Sequence, residues 1–279
     1  MEATLAILSV HYRYPALLQD QMERLRACAA PAREALGLEL RFHPVVHSKS
    51  DPDVAAEALD SGGIDLRGRP DLKPSHGESL AEAFLQLRAE GLLQDGDLLA
   101  VMDHDTHPLD PGLFAATASA LLAREDLAGI GIPQWHRGHC YLHPSFLLTR
   151  VATVERMTPD RAFLSRMWPD GRLRWDTAEG FTAWCEENGL PTCPLRVEST
   201  GFPWPRWDSE MVPDGGPRLT GEHGEPVHVG HLMRYGLEAG RPLLSHVWTA
   251  PLLSRHVSKA DAQEVLAAYL AEPMAGGMG

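Results

Sequence analysis

The chain lacks the features that announce several large classes of protein. Its four cysteines, Cys28, Cys140, Cys185 and Cys193, form no C-x-x-C pair and no zinc-type spacing. That argues against a disulfide scaffold and a zinc module, and reduced, mostly structural thiols are the expected state. No stretch approaches the ~18 consecutive apolar residues that cross a bilayer. Basic charge is scarce: 25 Lys and Arg stand against 38 Asp and Glu, a formal net charge of -13. Such a surface repels nucleic acid and anionic membranes, and no local basic patch offsets it. Familiar phosphate cradles and nucleophile turns are also missing. There is no G-x-x-x-x-G-K-[ST], no G-x-G-x-x-G after the first strand and no G-x-S-x-G elbow. The opening MEATLAILSVHY carries an early acid and only a brief apolar run, so it reads as a core strand rather than a signal peptide. These absences point to a cytoplasmic protein with no nucleic-acid partner and no membrane span.

What is present is an ordinary globular composition, 44% hydrophobic and 23% charged over 279 residues. That length buries one large α/β domain or two smaller ones. Apolar Leu5 to Val10 reads as a first strand, and Ala16 to about Leu36 as a helix broken or kinked near Pro31. Leu38 to Val46 alternates as a second strand, Asp53 to Leu59 is helix-like, and Ile64-Asp65-Leu66 suits a short edge strand. Ser75 and Glu78 form a capping box that opens a helix to about Glu90. This β-α-β-α order predicts a parallel sheet with right-handed crossovers. Leu113 to Leu122 reads as a helix. Leu127 to Pro133 reads as a strand whose glycines admit close backbone approach, and Tyr141 to Leu148 as a strand made an edge or bent by Pro144. Thr177 to Asn188 and Ala260 to Leu270 read as helices. Glu198 to Glu225 is a loop region rich in Gly, Pro and Trp.

One stretch organises the rest: Leu98-Leu99-Ala100-Val101-Met102-Asp103-His104-Asp105. A short unbroken apolar run is the mark of a strand buried on both faces. Ligands collect beyond the carboxyl ends of such strands, where Asp103 and Asp105 stand. Two carboxylates there suit a hard divalent cation that bridges phosphates, although an acidic pair also simply caps a strand. His228 and His231 are candidates to complete such a site, His231 the better placed. Asp176 and Glu179 flank a helix start, where they serve either as cap and dipole partner or as a general base. All seven tryptophans lie at or after Trp135, five of them between Trp168 and Trp207. Indoles in a loop-rich half suit either a sugar face or a core.

Taken in order, LAILSVHY, PSHGESL, VMDHD, GIGIPQW, HPSFLLTR, WDTAEGF and HVGH resemble the GT-A glycosyltransferases, especially family-2-like bacterial enzymes. The resemblance covers nearly the whole chain. It implies an α/β fold with a mostly parallel, Rossmann-like central sheet flanked by helices. It also implies a single domain over 1–279: a nucleotide-sugar half to about 110, an acceptor half over about 111–260, and a flexible tail over about 271–279. The implied activity is metal-dependent transfer of a sugar from a UDP- or GDP-type donor to a small-molecule or glycan acceptor, with inversion. Mn²⁺ or Mg²⁺ is the implied cofactor, and an oligomer is compatible with it. By position, Asp105 is the direct metal ligand, Asp103 lies near ribose and metal beside His104, and His231 or His228 completes the set. Val10, His11, Tyr12 and Arg13 would line the base and His76 the donor, with Asp176 or Glu179 as the base catalyst. Where the family commonly ends its second strand in Asp, this chain reads Val46-His47-Ser48-Lys49-Ser50-Asp51. Two other functions remain open: a metallohydrolase built on the Asp/His density, and a non-catalytic carbohydrate-binding protein.

Overall fold

Alternation along the first strand explains why helices cover both faces of the main sheet. In β1 (Thr4–Val10), Leu5 and Ile7 enter one core with Leu25, Leu113 and Phe114, while Ala6, Leu8 and Val10 enter another with Leu80, Phe84 and Phe163. The computed structural model describes residues 3–12, 14–69, 71–72, 75–136, 139–164, 166–167, 173–175, 177–199, 218–220, 226–228, 232–247, 271 and 274. The helix expected over 260–270 and the tail lie almost wholly outside them, as do most of the Trp-rich loop and Arg13, Asp176 and His231.

From β1 the chain passes through Tyr14, at φ 63, into α1 (Pro15–Leu36). Pro31 sits within this helix and does not break it. The carbonyl it leaves without a donor belongs to Ala27, on the exposed side, where water can serve it. The chain continues through β2 (Glu39–Val46), α2 (Pro52–Asp60), β3 (Ile64–Asp65), α3 (His76–Ala89), β4 (Leu98–Asp103), β5 (Thr106–Pro108) and α4 (Leu113–Leu122). Next come β6 (Gly129–His136), β7 (His139–Arg150), α5 (Val151–Met157), α6 (Pro159–Phe163), β8 (Arg166–Met167), β9 (Leu173–Trp175) and α7 (Glu179–Glu187). The remaining described strands are β10 (Thr192–Pro194), β11 (Arg196–Ser199), β12 (Arg218–Thr220), β13 (Pro226–His228), β14 (Leu232–Gly236) and β15 (Leu244–Val247).

Seven strands form the main sheet in the order β10-β6-β7-β4-β1-β2-β3. The run β3-β2-β1-β4 is parallel, while β7 lies antiparallel between β4 and β6. This is the α/β architecture expected from the sequence, a mostly parallel sheet flanked by helices. Pro144 does not make β7 an edge strand, because β7 is interior. It bends instead: pairing with β6 jumps from Gly131–Leu147 to Ile132–His143, so Pro144, Ser145 and Phe146 bulge away from β6. A bulge accommodates a residue with no N–H to donate. Gly131 allows the close approach here, since a Cβ on it would stand 2.5 Å from Phe146 O. A second sheet, β11-β14-β15-β5, sets its last strand directly after the acidic motif.

Candidate metal and donor site

The strand β4 stops at Asp103, and His104-Asp105 turns the chain into β5. The acids therefore converge through a turn rather than by continuing along one strand face. Helix α1 staples that turn. Gln21 is fully buried, and its Nε2 donates to Asp103 O at 2.8 Å and to Thr106 O at 2.7 Å. One turn along, Arg24 donates to Asp20 and to Pro108 O, and Asp20 in turn pairs with His107. Three carbonyls and an imidazole from Asp103 to Pro108 thus meet partners on one helix face.

Strand β15 supplies an imidazole that the sequence did not single out. Its antiparallel pairing with β5 sets His246 opposite Thr106, one residue past Asp105. His246 Nε2 then lies 3.2 Å from Asp105 Oδ1, with both side chains almost fully buried. Asp103, Asp105 and His246 each offer a ligand atom within 4.8 Å of the others. Oxygen ligands sit about 2.1–2.4 Å from Mg²⁺, Mn²⁺ or Ca²⁺-sized ions, so ligands facing across one ion are under about 5 Å apart. Two carboxylates with one imidazole suit a divalent ion at the hard-to-borderline end of the scale. The residues fit the cation that the resemblance implies.

Asp103 is tied further into the protein. Its Oδ1 is 3.0 Å from His76 Nε2, and its Oδ2 accepts from Ser145 Oγ at 2.7 Å, with His143 Nδ1 at 4.0 Å. Burial alone would raise this carboxyl, but His76, His143 and His246 together hold it well below the ordinary carboxylate range. His76 is the first residue of α3, whose N-cap Ser75 accepts from Glu78 N as the capping box predicted.

The remaining sequence-predicted residues divide. Val10 is buried in the core on the α3 side. His11 is wholly buried against Phe42 and His104, and burial, then His104 and His107, lowers its pKa well below the usual imidazole value. Tyr12 is only partly buried and stands edge-on to His47 at 4.5 Å and to His104 at 6.0 Å. His104 is buried in the turn, and burial lowers its pKa. Glu179 opens α7 and is 4% exposed, its Oε1 3.1 Å from His139 Nδ1; His139 Nε2 faces Glu186 Oε2 at 3.2 Å. The N-cap of α7 is Ala178 at φ 62, not Asp176 or Thr177. Its N–H is held by Phe163 O, so a tertiary contact sets the entry into the helix. His228 ends the β12–β13 ribbon, paired with Arg218.

No protein-family model matches the chain, and no curated protein does. Among solved structures, the chain is similar to a mannosyltransferase from Pyrobaculum calidifontis in complex with GDP-Man and Mn²⁺. The identity is 10% and the TM-score 0.48, over 68% of this chain and 54% of that one. The match thus spans about half of the mannosyltransferase. Glucosyl-3-phosphoglycerate synthase from Mycobacterium tuberculosis, in complex with Mn²⁺ and UDP-Glc, aligns at 15% identity and TM-score 0.45, over 69% of this chain and 68% of that one. A 4-diphosphocytidyl-2C-methyl-D-erythritol synthase aligns at 12% identity and TM-score 0.40, over 70% and 89% respectively. Likenesses this distant carry no functional weight by themselves, and the site's chemistry must come from its own residues.

Proposed function

We propose that the protein is a divalent-cation-dependent glycosyltransferase that moves a sugar from a nucleoside diphosphate donor to an acceptor hydroxyl. The observation that carries this reading is the convergence of Asp103, Asp105 and His246 at the carboxyl end of the parallel strands. These three residues would hold Mn²⁺ or Mg²⁺, which when bound supplies neutralising charge for a leaving diphosphate. The chain's own groups do the rest. Gln21 fixes the two carbonyls that flank the acidic turn, so the carboxylates stay aimed with little reorganisation. The Tyr12 and His47 rings give the ends of β1 and β2 an aromatic wall suited to a flat base, and His76 brings the start of α3 to the same end of the sheet. On the acceptor side, Glu179 is our base candidate, with Asp176 the alternative from the same segment. The donor is of UDP or GDP type and the acceptor a small molecule or glycan, with inversion at the transferred carbon.

A two-metal hydrolase would need a second ligand group, and among the described residues one group of three ligands forms. Turnover of UDP-glucose and GDP-mannose, assayed by nucleotide release with and without EDTA and again in Asp105→Ala, tests the reading. Release that depends on both the cation and Asp105 supports it. Release indifferent to both removes the metal role, and carbohydrate binding that needs neither nucleotide nor cation favours a non-catalytic protein.

A further inference from the structure

We infer that the hydroxyl of Ser145 is a fourth protein ligand of the divalent cation, beside Asp103, Asp105 and His246; this rests on the metal site proposed above. Ser145 is fully buried in β7. The β4–β7 register sets Met102 opposite Phe146, so the next residue down β7 is carried alongside Asp103. The bulge at Pro144 frees this residue from the β6 ladder. Its Oγ lies 2.7 Å from Asp103 Oδ2 and 3.3 Å from His246 Nε2, while that nitrogen is 3.2 Å from Asp105 Oδ1. Adjacent ligands of an octahedral ion with bonds of about 2.1 Å are about 3 Å apart. The serine oxygen therefore stands from its two neighbours as one vertex of such a shell stands from the next.

Donor accounting agrees with the spacing. A hydroxyl has one proton and two lone pairs. The proton is donated to Asp103 Oδ2. His143 Nδ1, 2.6 Å from the same Oγ, accepts from the Ser145 N–H at 3.2 Å and so offers this oxygen no proton, which leaves a lone pair on the side of His246 Nε2. When that nitrogen binds a cation in place of a proton, the same lone pair faces the ion. Ser145 keeps its proton, donated to Asp103 Oδ2, throughout. A neutral hydroxyl ligand adds no negative charge to a site that already holds two carboxylates.

Binding measured with the metals alone tests this without a known substrate. Mn²⁺ is titrated into the full chain and followed by the EPR signal of the free ion, in the wild type, Asp105→Ala, Ser145→Ala and Ser145→Cys. Cd²⁺ is then titrated and followed by thiolate-to-metal absorption. Loss of a supporting group at a metal site typically costs 10–100-fold in affinity. Ser145→Ala is expected to weaken Mn²⁺ binding at the low end of that range, about ten-fold. Ser145→Cys, nearly isosteric and so a safeguard if the alanine variant misfolds, exchanges preference from Mn²⁺ to Cd²⁺ and produces the thiolate band, because soft ligands select soft ions. A positioning role alone would not move that band. Unchanged Mn²⁺ affinity in Ser145→Ala, or no Cd²⁺ band in Ser145→Cys, overturns the ligation. Wild-type Mn²⁺ binding indifferent to Asp105→Ala, or absent altogether, instead overturns the metal site itself.

Discussion

Replacing Gln21 by leucine should loosen the acidic turn and destabilise the protein by about 2 kcal/mol. Its amide makes two bonds, to Asp103 O and Thr106 O, both by Nε2. A carbonyl left without a donor in the interior costs about 1–3 kcal/mol, so two lost partners set a range of about 2–6. Part of this is recovered. Gln21 Oε1 is itself a buried polar atom whose interaction is with the His11 ring, and leucine removes it while adding apolar contact. The net of about 2 kcal/mol is read as a fall in the urea midpoint at constant slope. Gln21→Glu should lose more, because a third acceptor would face the two carbonyls. An unchanged or higher midpoint for Gln21→Leu would refute the stapling role.

Gly77→Ala in α3 should destabilise by about 1–3 kcal/mol although alanine is the better helix former, because a Cβ there would run into the Phe163 carbonyl of α6. Gly96→Ala, where a Cβ meets nothing within 4 Å, should instead stabilise by about 0.4–1 kcal/mol; equal effects in thermal melts would contradict the packing. His47 has its pKa lowered to about 4 from 6.5 by burial, then by Lys49 and His76. Across that window the unfolded chain binds a proton that the folded chain refuses, so stability falls as pH drops from 6.5 towards 4. His47→Gln should flatten part of this slope in urea titrations across the window, and an unaltered slope would show that the group does not contribute.

Local signals were readable from the chain, and long-range pairings were not. The run Leu98 to Met102 announced a strand buried on both faces, and its side chains do alternate between the two cores. The Ser75 cap and the close approach at Gly131 depend on neighbours in sequence or on a missing Cβ, and both were legible. The interior, antiparallel place of β7 was hidden because Pro144 signals a bend without saying which strands flank it. Nothing near His246 distinguishes it. It reaches Asp105 only because β15 pairs with β5, a contact spanning about half the chain. Ser145, within HPSFLLTR, gains its meaning from the register with β4, and Ala178 from a carbonyl on α6. At Pro31 the break half of the expectation fails for the opposite reason: the helix rule is local, but an exposed carbonyl can turn to water.

Anomalous diffraction from crystals grown or soaked with Mn²⁺ and a nucleoside diphosphate tests the cation site most directly. The expected result is a manganese peak between Asp103, Asp105 and His246, with diphosphate oxygens completing its shell. Nucleotide bound elsewhere, or a site that stays closed by the Asp105–His246 pair at saturating manganese, would contradict it.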